Sequence, residues 1–444
     1  MDGPRGGPSV SLGKVISLRS YPRPRPWWFL ILAMSLALGL GACGKGGGQP
    51  PAGKVLVIGL DGAEWDLIHP MVAAGELPNL GRLMAEGVHG KLRSLEPLAK
   101  SPAIWTTIAT GKSPAEHGIK GFVDQMHGRP LTQNIRRVRA IWNIASGVGR
   151  TTGVVGWLMS WPAEEVNGFV VSDYLQYAAA KGVRVNGRTH PAELEAAIAS
   201  QVVDWRQVPW SFVQGFLDAP LDTAAMSQEL ANLLQPIKWI AAGDMTFARV
   251  GAGLYRERRP DLFAVYLRGM DAMGHLYWNY MTPEAVPEGT LLPEGMRYAT
   301  GAMRAYYRYV DGLIQPFLEA ADENTTILVV SDHGFHGGLD RGVEMHKLDG
   351  VIIMAGRDVG RGEITGASVY DVTPTVLALL GLPPAQDMRG KILWSALAPT
   401  IPRERFSQTI ATYETGDRPG ADSPLESPVD EELKERLRSL GYID

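Results

Sequence analysis

The sequence predicts an α/β protein built on a doubly wound, mostly parallel sheet with helices on both faces. Three observations carry that expectation. Short continuous runs rich in Val, Ile and Leu recur along the chain, as expected of strands buried on both faces. Helical patterns lie between and after them. Three of the runs lead into an acidic residue at their carboxyl end, the edge of an open α/β sheet where ligands bind.

Lys54–Leu60 is the first such run, and a helical pattern from Leu77 to Glu86 follows it. Ser101-Pro102 reads as a helix start, with Ser101 at the N-cap, Pro102 in the first helical position and Gly111 near the stop. A helix near Ala140 to Ser146 precedes two more strands, Thr152 to Trp157 and Gly168 to Val171. Between Tyr174 and Arg256 no Val/Ile run occurs. Apolar positions there, with Trp205, Trp210 and Trp239, fall at helical spacing, which predicts an inserted helical cap over 174–256. Leu262–Leu267, Thr326–Val330 and Gly350–Met354 then read as further parallel strands, and Asp371 to Leu380 as a helix. The core is therefore expected in two parts, 54–173 and 257–398. Residues 399–444 form a tail with Pro and acidic residues, closed by a charged amphipathic helix from Val429 to Leu440.

With 444 residues, 45% of them hydrophobic and 20% charged, the chain can bury a large core, which excludes a disordered tail or a disulfide-stapled miniprotein. Its single cysteine, Cys43, excludes an intrachain disulfide framework, a cysteine-based zinc cluster and a CxxC redox pair. Cys43 ends a tripartite leader: basic Arg19, Arg23 and Arg25, an apolar run from Trp27 to Leu40, then Gly41 and Ala42. That pattern is an export signal over 1–42. Leu40-Gly41-Ala42-Cys43 resembles the lipobox of bacterial lipoproteins, which implies an acylated Cys43 and a lipid-anchored protein of the cell envelope on the extracytoplasmic side. Residues 43–53 read as a flexible tether. Five basic side chains and one acidic one lie in residues 1–42, so the net charge of −4 becomes −8 for the remainder. So acidic a body disfavours binding to a nucleic-acid duplex.

The acidic residues at the strand ends are Asp61, Asp271 and Asp332. Any one alone would read as a helix cap or turn residue. Two of them bring a histidine: Asp271 and His275 lie at i, i+4, and Asp332 and His333 are adjacent. His346 precedes the next strand and reaches the same sheet edge. Mixed carboxylate and imidazole sets suit zinc, manganese or iron better than calcium or magnesium. At the start of the Ser101 helix, free backbone N–H groups could hold an anion beside a hydroxyl. Such a hydroxyl is a weak nucleophile until a base or metal activates it.

Taken in order, Asp61-Gly62, Leu77-Pro-Asn-Leu80, Ser101 ahead of Thr110-Gly111, Pro114-Ala-Glu-His117-Gly118-Ile119, Asp271 with His275, Asp332-His333-Gly334, His346 and Asp371-Val-Thr-Pro-Thr375 resemble the alkaline phosphatase superfamily. The closest branch is the type I phosphodiesterase / nucleotide pyrophosphatase family. The resemblance implies an alkaline-phosphatase-like fold, a phosphate-ester substrate and two divalent cations, zinc or manganese. It places Asp271, His275 and His346 on one cation, and Asp61, Asp332 and His333 on the other, with Ser101 as nucleophile bound to the second. The implied course is attack by Ser101 on phosphorus, a phosphoseryl intermediate, and hydrolysis with overall retention at phosphorus.

Two departures qualify the substrate. Nucleotide pyrophosphatases commonly use threonine where Ser101 stands, and an asparagine where Phe122 falls, so nucleotide specificity is not implied. The Cys/Ser-x-Pro-x-Arg motif of sulfatases is absent from Ser101-Pro-Ala-Ile-Trp105. Lys100 reads as a solvated lysine, His336 as a loop residue and His117 as structural, while Trp157, Tyr277 or Trp278 could stack on a leaving group. Two other readings remain at this stage: a phosphotransferase acting on envelope glycans or lipids, and a catalytically inactive envelope binding protein.

Overall fold

The computed structural model describes residues 53–444 apart from 125, 127, 179–183, 407, 417–419 and 444. The expected export signal, Cys43 and the expected tether up to residue 52 lie outside the described residues. In chain order the strands are β1 (Lys54–Leu60), β2 (Val88–Arg93), β3 (Thr152–Val155), β4 (Gly168–Val171), β5 (Thr189–His190), β6 (Leu262–Leu267), β7 (Thr325–Val330), β8 (Gly334–Phe335), β9 (His346–Lys347), β10 (Asp349–Gly356) and β11 (Gly362–Ser368). Nine of them form one sheet in the order β11-β2-β10-β7-β1-β6-β3-β4-β5, and β8 with β9 makes a separate antiparallel ribbon. The longer helices are α1 (Trp65–Ala73), α2 (Pro78–Glu86), α3 (Ser101–Thr110), α4 (Gln228–Arg258), α5 (Gly269–Met281), α6 (Ala302–Ala320), α7 (Val372–Leu379) and α8 (Asp430–Ser439). No described helix is long and apolar enough to cross a membrane.

The central strands read as continuous apolar runs because both faces are covered. Leu56, Ile58 and Leu60 of β1 join Phe263 and Val265 of β6 in a core on one face. Val55 and Val57 join Leu262 and Ala264 in the core on the other. This is the period-two alternation of a strand sandwiched between helix layers. α1, α2, α4, α5 and α6 contribute to the first core, α3 and α7 to the second.

Two expectations change. Gly350–Met354, read as a parallel strand, lies in β10, which pairs antiparallel with both β7 and β2. An apolar run reports burial on two faces and carries no sense of direction. The connection from β7 to β10 holds only the β8/β9 ribbon and a turn of 3-10 helix, not the crossover helix that a parallel return needs. The stretch 174–256, expected as a cap, divides. Thr189–His190 is an edge strand paired with β4, and α4 packs Phe247, Val250 and Leu254 with Phe263 and Phe317 against the sheet. Helical spacing shows that one face is apolar, not what covers it.

Candidate active site

The register of the three central strands builds the site. Leu60 of β1 pairs with Leu267 of β6, and Gly59 with Val330 of β7, so the chain leaves all three at one edge. Asp61 follows β1 directly, Asp332 follows β7, and α5 rises from β6 carrying Asp271 and His275. In the turn after β1, Gly62 has φ +68°, and a Cβ there would lie 2.9 Å from the Asp271 backbone. Glycine alone lets that turn come so close to α5. The start of α5 is held from beneath by Asp244 of α4, fully buried, which accepts hydrogen bonds from the backbone N–H of Arg268 and Gly269 (3.1 Å each) and from the Tyr306 hydroxyl (2.8 Å). Buried Glu64 joins the β1 turn to β8 by accepting from the Phe335 N–H at 2.8 Å.

Helix α3 reaches the same edge from the other face. Trp105 lies over Gly59, where a Cβ would come within 2.7 Å of the ring. Ser101 is the first helical residue and Lys100 the N-cap, one position earlier than the sequence suggested, and Gly111 stands at the C-cap as expected. Ser101 is buried. Its Oγ, next to the Tyr442 hydroxyl, makes no hydrogen bond of ordinary geometry.

All six Asp and His side chains named from the sequence converge here. Asp61, Asp332 and His333 form one group. His333 Nδ1 donates to its neighbour's carbonyl, Gly334 O, at 3.0 Å, which turns Nε2 inward. Nε2 stands 3.4 Å from Asp61 Oδ1 and 3.5 Å from Asp332 Oδ2, and these three buried atoms have no hydrogen-bond partner. In the second group, Asp271 Oδ1 lies 3.2 Å from His275 Nε2 and 3.3 Å from His346 Nε2, with the two imidazole nitrogens 3.1 Å apart. The His333 and His346 rings stack at 3.5 Å between centroids, so the two groups share a wall.

Crowding of buried charge dominates the electrostatics. Burial, then the Asp61 carboxylate, pushes Asp332 well above the usual carboxylate range. Burial disfavours a charged His333, yet the carboxylates of Asp332, Asp61 and Asp271 outweigh it and raise the imidazole to about 10. His346 is lowered to about 3 by burial and then by the His333 charge. Asp271 is held well below its ordinary value: burial opposes the charge, but His275 and His346 prevail. Shifts of this size at converging groups mark functional sites more often than structural ones.

Other residues singled out earlier fall into place. His117 Nδ1 accepts from the Ile119 N–H (3.1 Å), so its Nε2 faces the Thr107 hydroxyl (3.1 Å) as a donor. Burial lowers its pKa to about 3, and it braces α3 from behind as a neutral ring. Lys100 Nζ donates to the Tyr442 carbonyl at 2.7 Å. His336 stays with its loop, its backbone N–H bonded to Met345 O and its Nδ1 to Gly337 O. Trp157 packs on Trp105 in the core, and Tyr277 and Trp278 are buried, so none of the three is free to stack on a leaving group.

Sequence reasoning missed Tyr266 and Tyr442. Tyr266, near the end of β6, donates a short hydrogen bond to Asp61 Oδ2; the strand-end rule that found the carboxylates would have found it. Tyr442, beyond α8, carries no local signal, yet its hydroxyl sits among the Asp and His atoms of the second group. Phe122 and Tyr442 pack together at 4.5 Å, and with Tyr177 and Arg268 they line a cavity of about 50 Å³ that opens onto Asp61 and Asp271.

Residues 55–372 match the family described as Type I phosphodiesterase / nucleotide pyrophosphatase. No curated protein matches the sequence. Among solved structures, phosphonoacetate hydrolase from Sinorhizobium meliloti 1021, in complex with phosphonoformate, is similar at 19% identity and a TM-score of 0.36. That match covers 64% of this chain and 56% of the other, so it spans little more than half of that protein. A mutant of the alkaline phosphatase PafA matches at 11% identity and a TM-score of 0.47, covering 79% of this chain and 100% of that one. Human ectonucleotide pyrophosphatase / phosphodiesterase 5 matches at 12% and 0.44, covering 77% and 98%.

Proposed function

The chain belongs to the type I phosphodiesterase / nucleotide pyrophosphatase family, and from that premise we propose that it is a two-cation hydrolase of phosphodiesters or phosphomonoesters, with Ser101 as nucleophile and Cys43 as a lipid anchor in the bacterial envelope. One observation supports the cations above all. Asp61 Oδ1, Asp332 Oδ2 and His333 Nε2 are buried, aimed at one another and without partners. Buried polar atoms are nearly always hydrogen-bonded, and the remedy that fits all three is a divalent cation. A tetrahedral ion with ligands at about 2.0–2.1 Å holds its ligand atoms about 3.3–3.4 Å apart. The spacings of 3.4 and 3.5 Å in this group, and 3.1 to 3.3 Å in the other, fit. Asp61, Asp332 and His333 would hold one ion, and Asp271, His275 and His346 the other.

When bound, such ions supply Lewis acidity for a phosphoryl oxygen and for the attacking oxygen. The chain's own residues do the rest. Gly334 O fixes the His333 tautomer, and the Tyr266 hydroxyl orients Asp61, the outer-shell support that ligands need. α3, packed on β1 through Trp105, carries the buried Ser101 at its first turn, next to the Tyr442 hydroxyl, and that position at the strand edge supports its reading as the nucleophile. Ser101 Oγ bonds to phosphorus and gives up its proton as the ester oxygen departs and takes one up; water then bonds to phosphorus, giving up a proton, and the serine oxygen departs and regains one. Phe122 and Tyr442 pack together and line the cavity beside these atoms.

The test is a panel of p-nitrophenyl monoester, diester and phosphonate with zinc or manganese, before and after chelation. Hydrolysis is expected to require the metal and to fall on the order of a thousandfold or more in Ser101→Ala. An unchanged metal-dependent rate in that variant would remove Ser101 from its role. Fatty-acid labelling of expressing cells that persists in Cys43→Ser would remove the anchor.

A further inference from the structure

The segment after α8 reaches the second group of Asp and His side chains. Leu433 and Leu437 of α8, with Leu440 just beyond it, tie this part of the chain to the core, Arg436 pairs with Glu432 at 2.7 Å beneath the surface, and Lys100 grips the Tyr442 carbonyl. This scaffold delivers the Tyr442 hydroxyl to a defined point. Its oxygen lies 2.9 Å from Asp271 Oδ1, 2.8 Å from His275 Nε2 and 3.3 Å from His346 Nε2. With the three separations among those atoms, 3.1 to 3.3 Å, they are six edges of a near-regular tetrahedron, all between 2.8 and 3.3 Å. One carboxylate oxygen, two imidazole nitrogens and one phenol oxygen occupy its corners. A zinc ion at its centre would meet four ligands at ordinary distances after a small outward adjustment of the corners.

We propose that Tyr442 is the fourth protein ligand of the cation held by Asp271, His275 and His346, occupying the corner that a substrate or water oxygen would otherwise take. The inference rests on reading this group as a cation site. It assigns the phenol a different part from a plug: a plug competes with the ion, whereas a ligand draws it in. Catalytic zinc sites keep one corner open, so substrate would reach this ion by exchanging with the Tyr442 oxygen.

The two parts differ in the sign of one measurement. In the purified full chain, competition with a chromophoric chelator gives the zinc affinity of each site. Tyr442→Phe keeps the ring against Phe122 and removes only the oxygen, and it is expected to weaken one of the two sites by on the order of tenfold to a hundredfold. Unchanged or tighter zinc in that variant would overturn the proposal. Amide hydrogen exchange over residues 437–443 of the unaltered protein gives a second reading that needs no variant. Exchange is expected to slow on zinc loading, and faster exchange would mean that the ion expels Tyr442. Failure of the unaltered protein to take up zinc at all would sink the cation reading together with this inference, whereas uptake with unaltered affinity in Tyr442→Phe sinks the inference alone.

Discussion

At the scale of single residues, His333 is where burial and charge compete most sharply. Three neighbouring acidic groups, Asp332, Asp61 and Asp271, lift its imidazole from an ordinary value near 6.5 to about 10, against the cost of burial. A histidine whose folded value is raised contributes stability in full below its unfolded value and loses it as pH climbs through the folded one. Chelator-treated protein is therefore expected to lose stability progressively between about pH 6.5 and 10. His333→Gln should show a smaller fall, keeping only the part that the raised carboxyl of Asp332 contributes, and thermal unfolding of both proteins at pH 6 and pH 10 checks it; equal falls would show that His333 is not the group that titrates. His117 shows the opposite balance. It has no carboxylate in hydrogen-bond contact, donates to one hydroxyl, accepts from one N–H and stays neutral. Asp and His at strand ends were legible in the sequence because chemistry and position coincide there. The tyrosines were not, because a phenol at the end of an apolar strand looks like one more core side chain.

At the scale of elements, α5 depends on the helix that precedes β6 in the chain. Asp244 of α4 takes three hydrogen bonds, two that fix the β6–α5 turn and one from Tyr306 of α6, and burial pushes its carboxyl up to about 7. Asp244→Ala would strand two backbone N–H groups and a hydroxyl in the interior. We expect a loss of about 3–5 kcal/mol with a fall in metal affinity, because Asp271 and His275 ride on that turn; denaturant unfolding measures the first and chelator competition the second. Asp244→Asn, which can still accept, should lose less, and equal losses would show that the hydrogen bonds do not matter. This bracing also explains what sequence patterns convey. β1 and β6 were legible to the residue, because burial on both faces leaves an unbroken apolar run. β2 was not, since His89, Lys91 and Arg93 alternate with buried Val88, Gly90 and Leu92. β11 is a polar strand at the sheet edge, GEITGAS, whose pattern resembles a loop. α4 was legible as a helix but not as a layer of the core, because the partner covering its apolar face is β6, which follows it in the chain.

At the scale of the whole molecule, ligands that bind only the folded state add stability by mass action. A cation at a hundredfold excess over its dissociation constant contributes about 2.7 kcal/mol per site. The unfolding midpoint should therefore rise with the logarithm of zinc concentration, and a midpoint indifferent to zinc would argue against a site belonging to the native state alone. The doubly wound class was legible from apolar runs and strand-end carboxylates; the direction of β10 was not, because it depends on the connection between strands. The Gly62 N–H and Asp332 Oδ1 meet at 3.4 Å across 270 positions of the chain. Loop closure over that length is slow and costs entropy before any contact repays it. During synthesis, Asp61 therefore cannot meet Asp332 until β7 has emerged and found its place beside β1. The centre cannot form piecemeal from the leading end, and an ion that arrives early finds only scattered, competing side chains. Cation uptake should thus be a late event in maturation, and a chain truncated anywhere before β7 should retain neither half of the centre.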